Sequence, residues 1–149
     1  IGSVDTGKPE SFIFKNVKIY AIPDYVWRDG EQLHIIDWKS GQPRLEHEEQ
    51  MLVYGLWAWE KLGISPEQVT VNLEYLVRGA CQNKRLTATD LEQAKKIIGE
   101  SVGDMMEYLE NGDIAKNIPL PKEDWEMVAD LAECRRCNFY ELCRPELEG

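Results

Sequence analysis

Asp37 and Lys39 stand two residues apart at the end of the apolar run Leu33 to Lys39 (LHIIDWK). On a strand, the period of two puts both side chains on one face, with Ile36 and Trp38 on the other. A carboxylate and an ammonium then share one site. If Asp29-Gly30 is a turn, the resulting hairpin sets Asp24, near the end of the preceding strand, beside Asp37. Two carboxylates held together favour a divalent cation, because like charges that close otherwise force one to protonate. Such a cation can bind a phosphodiester and lower the pKa of its water, while Lys39 orients or polarises the nucleophile or offsets charge in the transition state. Taken alone, Asp37 and Lys39 also fit a surface ion pair at a strand end, worth at most about 1 kcal/mol.

A second chemical cluster lies near the C-terminal end, where Cys134, Cys137 and Cys143 form a Cys-x2-Cys-x5-Cys set within ten residues. In an intracellular chain such clustering points to metal before disulfide. Three thiolates need a fourth ligand for tetrahedral zinc or a cubane cluster, so a zinc-binding interaction domain is one reading of the set. Cys81, the remaining cysteine, falls in or beside a turn spanning Arg78 to Lys84 and is either that ligand or a free thiol. Arg135, Arg136 and Arg144 make the densest basic patch and can meet phosphates; Trp125 and Phe139 either stack on bases or belong to the core.

These residues need elements to hold them. Ser11 to Trp27 is rich in Phe, Ile, Val and Tyr and reads as two short strands or one bent strand, with Leu33 to Lys39 as hairpin partner. Glu46 to Leu62 has helical apolar spacing closed by Gly63. Val69 to Val77 alternates as a strand, and Arg85 to Thr87 returns beside it across Gly79 and Asn83. Thr89-Asp90-Leu91-Glu92 has capping-box spacing and opens a helix whose apolar stripe runs from Leu91 to Leu109. Lys122 to Glu133 reads as a last amphipathic helix. The order β-β-β-α-β-β-α-α predicts an α/β (α+β) fold, a small mixed central sheet flanked by helices.

The 149 residues are one domain's length of chain, and 43% hydrophobic residues with 30% charged describe a folded globular protein. Lys and Arg number 17 against 27 Asp and Glu, a net charge of −10 that argues against a protein coating DNA by electrostatics alone. No apolar run approaches the roughly 20 residues of a membrane span and no signal peptide opens the chain, so it reads as soluble and cytoplasmic. The opening Ile1 reads as a piece of a longer protein. There is no phosphate-binding Walker motif, so any motor would lie elsewhere.

From Asp24 through Tyr54 the chain resembles the PD-(D/E)XK nuclease superfamily, in particular its RecB-like branch. The matching pieces are Ile22-Pro23-Asp24, then Ile35-Ile36-Asp37-Trp38-Lys39, then Gln50-Met51-Leu52-Val53-Tyr54. The resemblance implies a restriction-endonuclease-like core, Asp24 and Asp37 as ligands of Mg2+ or Mn2+, Lys39 as the catalytic lysine, and Gln50 and Tyr54 as the helix motif beside the site and the DNA. The cysteine spacing is similar to the C-terminal iron-sulfur motif of AddB-type nucleases and CRISPR-associated exonucleases. That similarity implies a [4Fe-4S] cluster on Cys134, Cys137 and Cys143, with its fourth ligand outside this chain. It also implies a nuclease core over residues 1–133, lacking its N-terminal helix, with a cysteine segment over 134–149 packed on the same domain. The function implied is metal-dependent, exonuclease-type DNA hydrolysis in repair, recombination or CRISPR adaptation, with helicase or other subunits as partners; short of one ligand, this 149-residue piece is expected to be inactive or nearly so while its parent cleaves. Two departures stand out. Ala21 and Pro23 precede Asp24, and the upstream helix that supplies an acidic residue or His is missing, with Glu10 too close to the first strand to replace it. A catalytically incomplete module that binds DNA or a protein is the alternative.

Overall fold

The computed structural model describes residues 10–125 and 131–147. Four strands, not three, precede the first helix. β1 (Ser11–Phe14) and β2 (Val17–Tyr20) form a separate antiparallel hairpin. Its tip, Lys15-Asn16, has positive φ at both residues (47° and 65°), the backbone that two-residue hairpin turns require. β3 (Tyr25–Asp29) and β4 (Gln32–Lys39) are joined through Gly30 at φ 59°, the turn anticipated at Asp29-Gly30.

The main sheet has the order β3-β4-β5-β6, where β5 is Val69–Tyr75 and β6 is Ala80–Arg85. β4 and β5 run parallel, and the outer pairings are antiparallel. The chain crosses from β4 to β5 through α1 (Leu45–Leu62), which ends at Gly63 in the left-handed conformation. Alternation along the two central strands sets the core. Leu33, Ile35 and Asp37 on β4 and Val69, Val71, Leu73 and Tyr75 on β5 are buried, and the parallel register places Leu33 beside Val69, Ile35 beside Val71, Asp37 beside Leu73 and Lys39 beside Tyr75. Met51, Tyr54, Leu56 and Trp57 of α1 complete one core cluster with Leu91, Ala94 and Ile98 of α2 (Ala88–Glu107). The fold is the mixed α/β arrangement expected from the sequence.

Local boundaries differ where two patterns compete. β6 begins directly after Gly79, so Asn83 and Cys81 lie in the strand instead of a turn, opposite Asn72 and Glu74. The cap of α2 is Thr87, not Thr89. Thr87 N donates to Asp90 Oδ2 at 2.9 Å, its hydroxyl donates to the same oxygen at 2.8 Å, and Asp90 N points back to Thr87 Oγ1 at 3.4 Å. Lys84 on β6 adds an ion pair to Asp90 Oδ1 at 2.7 Å, which ties the buried Asp90 to the sheet.

The chain divides into two compact units, Ile1–Asp104 and Met105–Gly149. Within the second, Leu109 bridges to Pro119, and Trp125 stacks on Tyr108 with centroids 4.7 Å apart. The helix expected from Lys122 to Glu133 does not begin at Lys122: Lys122–Asp124 is a short 3-10 turn and Trp125 is extended, whereas Leu131–Cys134 is helical (α3) and Val128 lies outside the described residues. Leu120 O accepts the Trp125 indole N–H at 3.1 Å, fixing that ring on its own loop, and Trp125 and Phe139 are both exposed instead of core. α4 (Tyr140–Leu147) follows, an element the sequence reading left out.

The cap assignment has a direct consequence for stability. Thr87→Ala removes an N-cap and a donor to a buried carboxylate and is expected to cost about 1 kcal/mol, whereas Thr89→Ala should stay within about 0.5 kcal/mol. Urea unfolding of both variants separates the two assignments.

Candidate active site

The inward row of β4 runs Leu33, Ile35, Asp37, Lys39, so the alternation that fills the core also carries a carboxylate into it. Asp37 is 4% exposed, and a buried charge persists only if its oxygens are paired and hydrogen-bonded. α1 supplies most of that. Tyr54 OH donates to Asp37 Oδ1 at 2.5 Å and accepts from Gln50 Nε2 at 2.8 Å. Gln50 Oε1 accepts from Lys39 Nζ at 2.5 Å, and the same ammonium lies 2.5 Å from Asp37 Oδ2. The four side chains close into a ring: Asp37, Tyr54, Gln50, Lys39 and back to Asp37. Gln50 and Tyr54, four apart, face the sheet together.

Burial, then the hydrogen bond to Asp37 and the charges of Asp37 and Asp24, push the Tyr54 hydroxyl far above its ordinary ionisation range; the Gln50 hydrogen bond opposes this weakly. Tyr54 therefore stays protonated and acts as a fixed donor to Asp37.

Asp24 occupies the bend just before β3, so it precedes that strand instead of ending the one before it. The β3-β4 register pairs Tyr25 with Ile36, and one step further along the hairpin Asp24 stands across from Asp37. Its Oδ2 accepts the backbone N–H of Trp38, the residue between Asp37 and Lys39, at 2.8 Å. Asp24 also shares a cleft of about 300 Å³ with Glu10, Arg28 and Trp57. The structure thus gathers Asp24, Asp37, Lys39, Gln50 and Tyr54 at the same end of the β3-β4 hairpin.

A divalent cation can be tested against this donor set. Asp37 Oδ2 is buried and has no hydrogen-bond partner among the described residues; the Lys39 ammonium meets it as an ion pair at 2.5 Å without hydrogen-bond geometry. Hard carboxylate oxygens suit Mg2+ and Mn2+, and Mg2+ is commonly held by one or two carboxylates with water completing the shell. The carboxylates of Asp24 and Asp37, on facing ends of the hairpin, are of the donor type such an ion takes. Among the described residues no group of three or more His, Cys, Asp or Glu side chains is gathered as a metal site.

Cys134, Cys137 and Cys143, the residues that the spacing suggests for an iron-sulfur cluster, are among those not gathered as a metal site. All three are free thiols, buried, exposed and half-buried in turn. Cys137 Sγ accepts the Phe139 N–H at 3.4 Å, a turn contact that holds this sulfur against its own backbone. Arg144 is paired with Glu141 at 3.3 Å.

Sequence reasoning missed one pair bordering the ring. His47 Nδ1 lies 3.1 Å from Tyr75 OH, and Tyr75 is the β5 neighbour of Lys39. The signal was present, since His47, Gln50 and Tyr54 share one helical face.

Tyr54→Phe tests the ring. It removes the donor to a buried carboxylate and should lower unfolding free energy by about 1.5–3 kcal/mol. A raised folded-state pKa means that the folded state keeps its proton where the unfolded state has lost it. The wild type therefore loses stability as pH climbs past the ordinary tyrosine value of 10.0, and Tyr54→Phe should show a shallower decline there. Denaturant melts between pH 8 and pH 11, read as the difference between the two proteins, check this.

The model of the PD-(D/E)XK nuclease superfamily matches residues 3–144. No curated protein matches this sequence. A strand ending in Asp37-x-Lys39, a second carboxylate across the hairpin and a match over nearly the whole length lead to one assignment: the chain belongs to the PD-(D/E)XK nuclease superfamily.

Proposed function

We propose that the chain hydrolyses DNA phosphodiesters in a Mg2+- or Mn2+-dependent, exonuclease-type reaction, as a RecB-like member of its superfamily working in the cytoplasm in repair, recombination or CRISPR adaptation. The observation that carries this reading is the buried Asp37 oxygen without a hydrogen bond, beside Lys39 and across the hairpin from Asp24.

The ion, when bound to Asp24 and Asp37, supplies Lewis-acid polarisation of the phosphoryl group and a water acidic enough to ionise near neutral pH. The protein supplies orientation. Tyr54 and Gln50 hold Asp37 and Lys39 in one geometry, so neither must reorganise as charge develops. The Lys39 ammonium sits where it can hold a nucleophilic water or meet charge gathering on the phosphate oxygens. Trp38 N–H fixes Asp24 through the backbone, which makes that contact independent of the residue 38 side chain. Glu10, although it directly precedes β1, lines the same cleft as Asp24, which supports it as a stand-in for the upstream residue that the RecB-like pattern supplies.

For Cys134, Cys137 and Cys143 the support for an iron-sulfur cluster is their spacing; the arrangement of the sulfurs does not add to it, and no step of the proposed chemistry runs through them. Four free thiols accord with a reducing compartment. Helicase or other recombination or CRISPR subunits are the partners that the RecB-like reading brings with it. Among the described residues no helix is long and apolar enough to cross a membrane.

The test is Mn2+-dependent degradation of labelled linear DNA. Asp37→Ala and Lys39→Ala should each lower the rate by about 10²-fold or more, since a misplaced water or an unpolarised phosphate forfeits most of the gain from positioning. Undiminished cleavage by Asp37→Ala would place the chemistry elsewhere. Binding of DNA by the wild type without any cleavage would favour the non-catalytic module.

A further inference from the structure

α1 faces the sheet with three polar side chains at positions 47, 50 and 54, and each meets one residue at the exit of the core. Tyr54 meets Asp37, Gln50 meets Lys39, and His47 meets Tyr75. Asp37 and Lys39 are consecutive inward residues of β4, and Tyr75 is the lateral neighbour of Lys39 on β5. The His47–Tyr75 pair is therefore a third rung of the same array. It continues away from Asp37 along seven residues of helix, about 10 Å at the α-helical rise. A nucleic-acid strand advances by about 3.4 Å per nucleotide in a duplex, so the array spans more than one phosphate.

The third rung differs from the other two in what it leaves unspent. Both ends of the Gln50 amide and the Tyr54 hydroxyl are used on protein partners. His47 is half-buried, and its ring contacts Tyr75 through Nδ1, with centroids 5.7 Å apart. Nε2, on the far side of the ring, has no hydrogen-bond partner among the described residues. Burial, then the charges of Glu48 and Asp37, push the pKa of the Tyr75 hydroxyl up, so it keeps its proton. That hydroxyl can donate to Nδ1 or accept from it; in the tautomer where it donates, the ring proton is on Nε2, which is then a donor on the side away from Tyr75. The adjacent Glu48 is held aside by β6, where Gln82 Nε2 donates to its Oε1 at 3.1 Å.

We infer that His47, oriented by Tyr75, forms a phosphate subsite next to Lys39, donating from Nε2 to a non-bridging oxygen of a DNA phosphate other than the one being cleaved. The inference rests on the nuclease reading and deepens it. A phosphate contact remote from the reacting bond acts equally on ground and transition states, so it appears in KM and in affinity more than in kcat. It is also indifferent to base identity.

Asparagine can imitate the Nδ1 side of an imidazole and glutamine the Nε2 side, which separates an outward donor from a packing role. His47→Asn keeps a partner for Tyr75 and loses the outward donor; His47→Gln keeps an outward donor. Steady-state cleavage and fluorescence-anisotropy binding on oligo(dT) and oligo(dA), the latter without divalent ions, provide the two readouts. His47→Asn should raise KM and Kd about tenfold on both sequences with kcat within about threefold, the size of one lost hydrogen bond to a charged group. His47→Gln should recover most of the loss. Tyr75→Phe should give a smaller loss that does not add to that of His47→Asn, because both act through the same nitrogen.

Recovery by His47→Asn instead of His47→Gln, or unchanged KM and Kd in both, overturns the subsite while an inactive Asp37→Ala leaves the nuclease reading standing. If the wild type binds DNA but does not cleave it, the Kd comparison alone decides the subsite. No DNA binding by the wild type overturns both readings.

Discussion

The structure depends on one awkward placement: a carboxylate in the inward row of a central strand. Asp37 occupies the position after Leu33 and Ile35 in the β4 alternation, where burial of an uncompensated charge would cost several kcal/mol. Tyr54 and Lys39 meet its two oxygens, and Gln50 ties those two partners to each other. This compensation requires α1 to lie close on the sheet in one rotation. Gly55 shows how close the packing is, since a Cβ there would come 2.3 Å from Leu86 Cδ1. Neighbouring Leu56 and Trp57 are buried, and Gly63 ends the helix so that the chain can return into β5.

The same ring explains how a strongly acidic chain can present a site suited to a phosphate. The net charge of −10 describes the whole surface, whereas the proposed chemistry needs only the few groups at one end of the β3-β4 hairpin. There, Tyr54 fixes one Asp37 oxygen, and the other is in contact with Lys39 without hydrogen-bond geometry. A lone pair left over in a buried carboxylate is unfavourable for folding alone and is what a hard cation would use. Asp24 contributes from the exposed side, anchored by a backbone amide that belongs to the Asp-x-Lys strand itself.

Period and register account for the parts of this site that sequence could foresee. Asp37 and Lys39 share a face because strands alternate, Asp24 reaches Asp37 because Asp29-Gly30 turns the hairpin, and Gln50 and Tyr54 align because they are four apart on a helix. The hydrogen bonds that close the ring join residues 11 to 17 apart, and their existence follows from how α1 rotates on the sheet, which no local pattern encodes. The same holds for His47 and Tyr75, 28 residues apart. At α2 the sequence reading took Thr89-x-x-Glu92 as the cap, whereas the structure uses Thr87 with Asp90, which Lys84 on β6 also pairs. Beyond α2 the helical spacing places Trp125 in a helix that it does not join, because its indole is satisfied by Leu120 O within a short loop. Cysteine spacing likewise describes a ligand set without placing its sulfurs.

Direct measurement of Mn2+ binding by electron paramagnetic resonance, in the absence of DNA, addresses the central claim that the ring presents Asp37 to a divalent ion. The wild type and Lys39→Ala are expected to bind Mn2+, and Asp37→Asn is expected not to. Equal Mn2+ binding by Asp37→Asn and the wild type would contradict the claim.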